Sequence, residues 1–176
     1  MIGMILHIDE IPMFWDRSKP TAVDVETDEK DNFVGLAVTQ DGIDVYYFTK
    51  NYHTYVQGQL IGHNVKFDIK QLINWGVSLT SENMYYDTCL ASYVQDTTKA
   101  THSLKDLAKE YLGLEWSTYK EMVGTGKKKV TLDHQPIPKV AAYCGMDVLA
   151  TWRLHEYFCK KLTVQQKRYL ETIELP

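Results

Sequence analysis

Thr21-Ala22-Val23-Asp24-Val25-Glu26-Thr27 opens as a buried strand and then does what buried strands avoid. Residues 21–25 are small, apolar or β-branched apart from Asp24. Side chains two apart on a strand leave the same face, so Asp24 and Glu26 point the same way. Two acids on a face that should pack apolar residues cost several kcal/mol unless neutralised, and a cation is the simplest remedy. Exposure at the strand's end is the other reading of the pair.

The neighbouring stretches extend the sheet. Residues 33–39 and 43–49 are strand-like runs joined at Asp41-Gly42, a hairpin signal, which predicts three antiparallel strands. A short helix over 53–59 and a short strand over 60–62 follow. Asn64 is placed to N-cap a helix reaching about residue 75, where Gly76 stops it. Residues 85–88 form a further short strand. Ser103-Leu104-Lys105-Asp106 resembles a capping box ahead of a helix over 104–112, closed by Gly113. Gly124 and Gly126 mark a loop. Pro138 suits the first turn of a long helix whose stripe is Val140, Cys144, Val148, Thr151, His155, Phe158 and Leu162. A polar helix over 165–173 ends the chain. Residues 1–20 form a lead-in without a clear element, in which Phe14 and Trp15 read as buried. The order predicts an α/β fold, a mixed sheet with helices packed on it.

Length and composition suit one folded domain over residues 1–176, with 44% hydrophobic and 12% aromatic residues. A net charge of −4 argues against a general nucleic-acid coat protein but not against an enzyme that grips a few phosphates. Lys127-Lys128-Lys129 is the one dense basic run, either a solvated loop or a nucleic-acid contact. Cys89, Cys144 and Cys159 are odd in number and widely spaced, as expected in a reducing compartment. His155 and Cys159 could form half of a soft-metal site, but no second pair completes it. The first eight residues lack the pattern of a signal peptide, and no apolar run reaches membrane-spanning length.

Two more acids join the first pair. Asp68 lies four residues after Asn64, and Asp147 four after Tyr143, so each pair shares a helix face. Taken singly, a cap plus a surface acid, or a structural Tyr–Asp hydrogen bond, explains either pair. No Ser-His-Asp set, Gly-rich phosphate loop or Cys-x-x-Cys pair competes with these residues.

In this order, with Ile61-Gly62-His63-Asn64-Val65-Lys66-Phe67-Asp68, Tyr86-Asp87-Thr88, His102-Ser103-Leu104, Gly124-Thr125-Gly126-Lys127 and Tyr143-Cys144-Gly145-Met146-Asp147, the chain resembles the DEDDy 3′-5′ exonucleases. More narrowly it resembles the proofreading domain of family A, DNA polymerase I-like polymerases, over about residues 20–176. The resemblance implies a ribonuclease H-like fold with helices on both sheet faces, and a two-metal exonuclease acting on single-stranded or frayed DNA 3′ ends. It implies Asp24, Glu26, Asp68 and Asp147 as ligands of two divalent cations, Mg²⁺ or Mn²⁺, with Tyr143 orienting the attacking water. Thr27, Asn64, Tyr119 and Lys127 would contact substrate. It also implies a family A polymerase domain as partner, in cis or in trans, no membrane, and the cytoplasm of a bacterial or phage-infected cell. Residues 165–176 resemble the start of the junction to such a domain. One departure is plain: the family carries an apolar wedge residue shortly after the first motif, whereas Asp28-Glu29-Lys30-Asp31-Asn32 is short and polar. An RNA-trimming exonuclease of the same superfamily and an idle DNA-end-binding scaffold remain as other readings.

Overall fold

In the computed structural model, residues 3–50, 56, 58–79, 85–126 and 129–175 are described. Six strands form one sheet: β1 (Ile5–Ile8), β2 (Thr21–Thr27), β3 (Phe33–Thr39), β4 (Asp44–Phe48), β5 (Leu60–Gly62) and β6 (Tyr85–Asp87), in the spatial order β1-β4-β3-β2-β5-β6. The β2-β3 and β3-β4 pairs are antiparallel, and the β1-β4, β2-β5 and β5-β6 pairs are parallel. The three antiparallel strands are where the sequence predicts them. β1 is an addition: four residues at the sheet's edge, half-buried rather than alternating, carry too little pattern to be read in advance.

The helices are α1 (Val65–Asn74), α2 (Thr88–Gln95), α3 (Leu104–Leu112), α4 (Tyr119–Val123), α5 (Ile137–Lys161) and α6 (Val164–Tyr169), the last continuing into a π-helical turn at Leu170–Glu174. Strand alternation gives the sheet two apolar faces. Ala22, Ala37, Val45 and Ile61 pack with Val140, Cys144, Val148, Leu154 and Phe158 of α5 and with Leu107 of α3. Val23, Val25, Leu36, Val38 and Leu60 face the other way and pack with Leu72 of α1. The predicted stripe of α5 is buried along its length, with His155 half-covered. Gly113 ends α3 at φ 65°, the left-handed cap its position implied.

Two expectations change. Phe14 is 87% exposed. Trp15 is half-buried against Tyr46, in an edge contact of 6.1 Å between ring centroids. The apolar pair therefore does not enter the core as a unit. Asn64 does precede α1, but its backbone is left-handed at φ 65° and its side chain makes no capping bond. Asp87 supplies that cap from the end of β6. Its carboxylate accepts from the Asn64 and Val65 amides at 3.1 and 2.9 Å, and from the Cys89 and Leu90 amides at 2.8 and 3.3 Å. One buried acid thus satisfies the orphan amides of two helix starts. Most of the expected helix over 53–59 lies outside the described residues. Gly62 makes the β5–α1 turn possible, since a Cβ there would lie 2.7 Å from the Cβ of Val65.

Asp87→Ala removes both caps and leaves amides of two helices unpaired. It should destabilise the domain by about 2–4 kcal/mol in urea denaturation. A loss below about 0.5 kcal/mol would show that the two helix starts do not depend on it.

Candidate active site

β2 is longer than its neighbour β5. Thr21 pairs with Leu60 and Ala22 with Ile61, and β5 ends at Gly62. Among the described residues, the later part of β2 has no strand on that side. Asp68, in the first turn of α1, fills the gap: its Oδ1 accepts the Val25 amide at 3.1 Å. The alternation that buries Val23 and Val25 against α1 turns Asp24 and Glu26 toward α5. There the Cys144 thiol donates to Asp24 Oδ2 at 3.0 Å. Donor atoms of Asp24, Glu26 and Cys144 all lie within 4.8 Å of one another. One turn further along α5 stands Asp147, 6% exposed; its Oδ1 accepts from Trp116 Nε1 at 2.6 Å and from Lys105 Nζ.

The four acids predicted from sequence therefore converge from three elements. Their charges register the convergence. Burial first, and then Asp147, pushes Asp24 up from 3.8 to about 7. Glu26 is held well above the usual carboxylate range by burial, then by Asp24, Asp147 and Asp68. Asp68 is raised by burial and by Asp24, against the pull of the Val25 amide. Asp147 is raised by burial, with Lys105 opposing. Among the described residues Glu26 accepts no hydrogen bond. Four oxygen donors with this much mutual repulsion fit a hard divalent cation.

Tyr143 is 9% exposed and lies one turn before Asp147 on α5. Burial pushes its hydroxyl well above the usual phenol range, so it stays protonated at any working pH. It packs with Met122 and Val123 of α4 and with Trp116. Thr27 is half-buried at the end of β2, just beyond a register shift at Glu26. Asn64 is exposed ahead of α1. Tyr119 is 45% exposed on the first turn of α4. Lys127 and Lys128 lie outside the described residues; Lys129 pairs with Glu29 at 2.5 Å. The polar turn after β2 is tight: Asp28 Oδ1 accepts the Lys30 and Asn32 amides at 2.7 and 2.9 Å. His155 and Cys159 bond each other at 3.3 Å and join no larger ligand group among the described residues.

Lys105, Trp116 and Cys144 are the site residues that sequence reasoning did not assign. Trp116 and Lys105 meet Asp147 from 31 and 42 residues away, with no local periodicity to link them. Cys144 had a signal of a kind, since its stripe position follows Tyr143 and faces β2.

A carboxyl whose folded pKa exceeds its unfolded value binds more protons in the native state, so its stabilising effect fades as pH rises through the folded pKa. For Asp24 the window runs from 3.8 to about 7. The melting temperature in EDTA should therefore fall by several degrees between pH 5 and pH 8, and Mg²⁺ at pH 8 should restore it. Asp24→Asn should flatten the slope. A flat or rising profile in the wild-type chain would contradict the repulsion described above.

A family model described as 3′-5′ exonuclease, of the DNA polymerase A type, matches residues 10–163. DNA polymerase I of Pseudomonas aeruginosa is 34% identical over 118 residues, covering 66% of this chain and 13% of that protein. DNA polymerase I of Synechocystis is 32% identical over an alignment covering 96% of this chain and 19% of its own length. The chain thus spans less than a fifth of these polymerases. Among solved structures, NrnC of Brucella melitensis with bound Mg²⁺ superposes with a TM-score of 0.66 at 19% identity, covering 97% of this chain and 90% of that one. That likeness supports the ribonuclease H-like fold. With most of its length matched, the chain belongs to the 3′-5′ exonuclease domain family of the DNA polymerase A type.

Proposed function

We propose that the chain removes nucleotides from single-stranded or frayed DNA 3′ ends, releasing nucleoside 5′-monophosphates, and proofreads for a family A polymerase domain linked to it or bound in trans. The observation that carries this reading is the convergence of Asp24, Glu26, Asp68 and Asp147 from β2, α1 and α5, each with its carboxyl pKa raised. A purely structural role gains nothing from four acids that repel one another.

Asp24, Glu26, Asp68 and Asp147 would hold two divalent cations, Mg²⁺ or Mn²⁺. Bound there, such cations supply a more acidic water and charge stabilisation of the leaving 3′ oxygen. The protein's own groups do the rest. Tyr143 is too weak an acid to serve as a base, so its protonated hydroxyl orients the attacking water by hydrogen bond. Thr27 and Asn64, at the ends of the elements that carry the acids, would contact the terminal nucleotide. Tyr119 offers an exposed ring for stacking of an unpaired base, which favours single-stranded ends. Lys127 would meet the phosphate backbone. With a net charge of −4, grip on DNA by this chain alone should be weak and strongly salt-dependent.

A second reading, trimming of short RNA 3′ ends, draws on the match to NrnC, also solved bound to pGG, which covers 98% of this chain and 91% of that one. Labelled single-stranded DNA and RNA of one sequence, digested in parallel, separate the two. The DNA reading expects 5′-monophosphates released stepwise from the 3′ end, dependent on Mg²⁺ or Mn²⁺ and stopped by EDTA. Asp24→Ala should lower the rate by about 10³-fold or more with the fold intact, and Tyr143→Phe should cost less. Activity of Asp24→Ala within about tenfold of wild type would sink the metal-site assignment.

A further inference from the structure

Lys105 leaves α3 to enter the acid cluster. Its ammonium donates to Asp147 Oδ1, the oxygen that also accepts Trp116 Nε1 at 2.6 Å. It lies 3.9 Å from the ring centroid of Trp116 and 4.4 Å from that of Tyr143. Its side chain is 23% exposed. A carboxylate and two aromatic faces make a seat for a cation, and in this chain the occupant is a side chain. The influence reaches past Asp147, since Lys105 also draws on Asp24 and Glu26. An exposed lysine pair would contribute little, but this one is largely withdrawn from water, where charge acts over longer distances.

We propose that Lys105 is the resident counter-cation of the site, holding Asp147 before a divalent cation arrives and yielding that carboxylate when one binds. Loading at Asp147 is then an exchange of one cation for another. The exchange has two consequences. The acid cluster stays folded and aimed without bound metal, because one positive charge always faces it. Divalent affinity is lower than four carboxylates would otherwise give, because the incoming ion competes with an ammonium already in place. Lys105 is a positioning residue, acting on the reaction through Asp147. The inference rests on the reading of the four acids as cation ligands.

The test is Mn²⁺ binding to the 176-residue chain, followed by electron paramagnetic resonance, with melting curves in EDTA and in saturating Mn²⁺. Lys105→Met keeps the unbranched stem and removes the charge; Lys105→Gln also keeps a hydrogen-bond donor; Lys105→Arg keeps the charge. Both neutral variants should bind Mn²⁺ about fivefold tighter or more, melt below wild type in EDTA, and gain more than wild type from Mn²⁺. Lys105→Arg should stay near wild type on all three measures. Mn²⁺ affinity within about twofold of wild type, or weaker, in a folded neutral variant would overturn the proposal. So would failure of both neutral variants to fold even in saturating Mn²⁺, because exchange requires that the metal can stand in for the ammonium. Hydrolysis of labelled DNA and RNA by the wild-type chain tests the exonuclease reading separately: its absence would sink that reading while leaving the Mn²⁺ comparison intact.

Discussion

Like charges drawn out of water set the terms for this fold. Asp68 and Asp147 are almost fully covered, Asp24 and Glu26 are half-buried beside them, and the interior screens their repulsion poorly. Several neighbouring elements carry some answer to that repulsion. The Val25 amide answers Asp68, the Cys144 thiol answers Asp24, and Lys105 and Trp116 answer Asp147. Those donors come from β2, α3, α5 and the segment ahead of α4, so the site and the tertiary packing are one problem solved together.

The sheet explains why the acids can meet at all. Had β5 run as far as β2, it would have taken the Val25 amide into the ladder and left no place for Asp68. Its early end at Gly62, and the close turn that only a glycine permits there, bring the start of α1 up against the open edge of β2. Asp87 anchors the same corner from β6 by capping α1 and α2 together. The open C-terminal end of parallel strands is where α/β sheets commonly put their ligands. Here the opening is made by a difference in strand length.

The parts of the fold that follow from local chemistry were legible in the chain. Asp41-Gly42 marks the β3–β4 turn, Ser103 and Gly113 bound α3, and a three-four stripe buries α5. The two acids on one face of β2 and the i,i+4 pair on α5 were legible for the same reason, since spacing along a regular element fixes direction. What stayed hidden depends on contacts between distant segments. Asp87 reads as a strand residue until α1 is seen to start beside it. Asn64 has the composition of a capping residue, but its left-handed backbone turns it out to solvent. Lys105 reads as the exposed third position of a capping box, and only the packing of α3 on α5 carries it to Asp147. β1 forms because β4 offers it an edge, not because its four residues demand a strand.

The compensation supplied by the protein is incomplete, and that shortfall bears on function. Amide, indole and thiol donors are dipoles that ease a carboxylate's burial without cancelling its charge. Lys105 contributes a single positive charge against four acids, and of the four it bonds only Asp147. Glu26 has no donor among the described residues, and its pKa is held well above the usual range. A site built for stability alone would have substituted apolar residues, because well-packed hydrophobic groups usually match or outdo buried ion clusters. That excess of acid over base lies between β2 and the middle of α5, beside the protonated Tyr143. On the proposed function, a divalent cation held by these carboxylates would offset that excess where a second lysine would block the opening, and it would supply a more acidic water. On that reading, the same electrostatic deficit that weakens the fold without metal is what would hold one there.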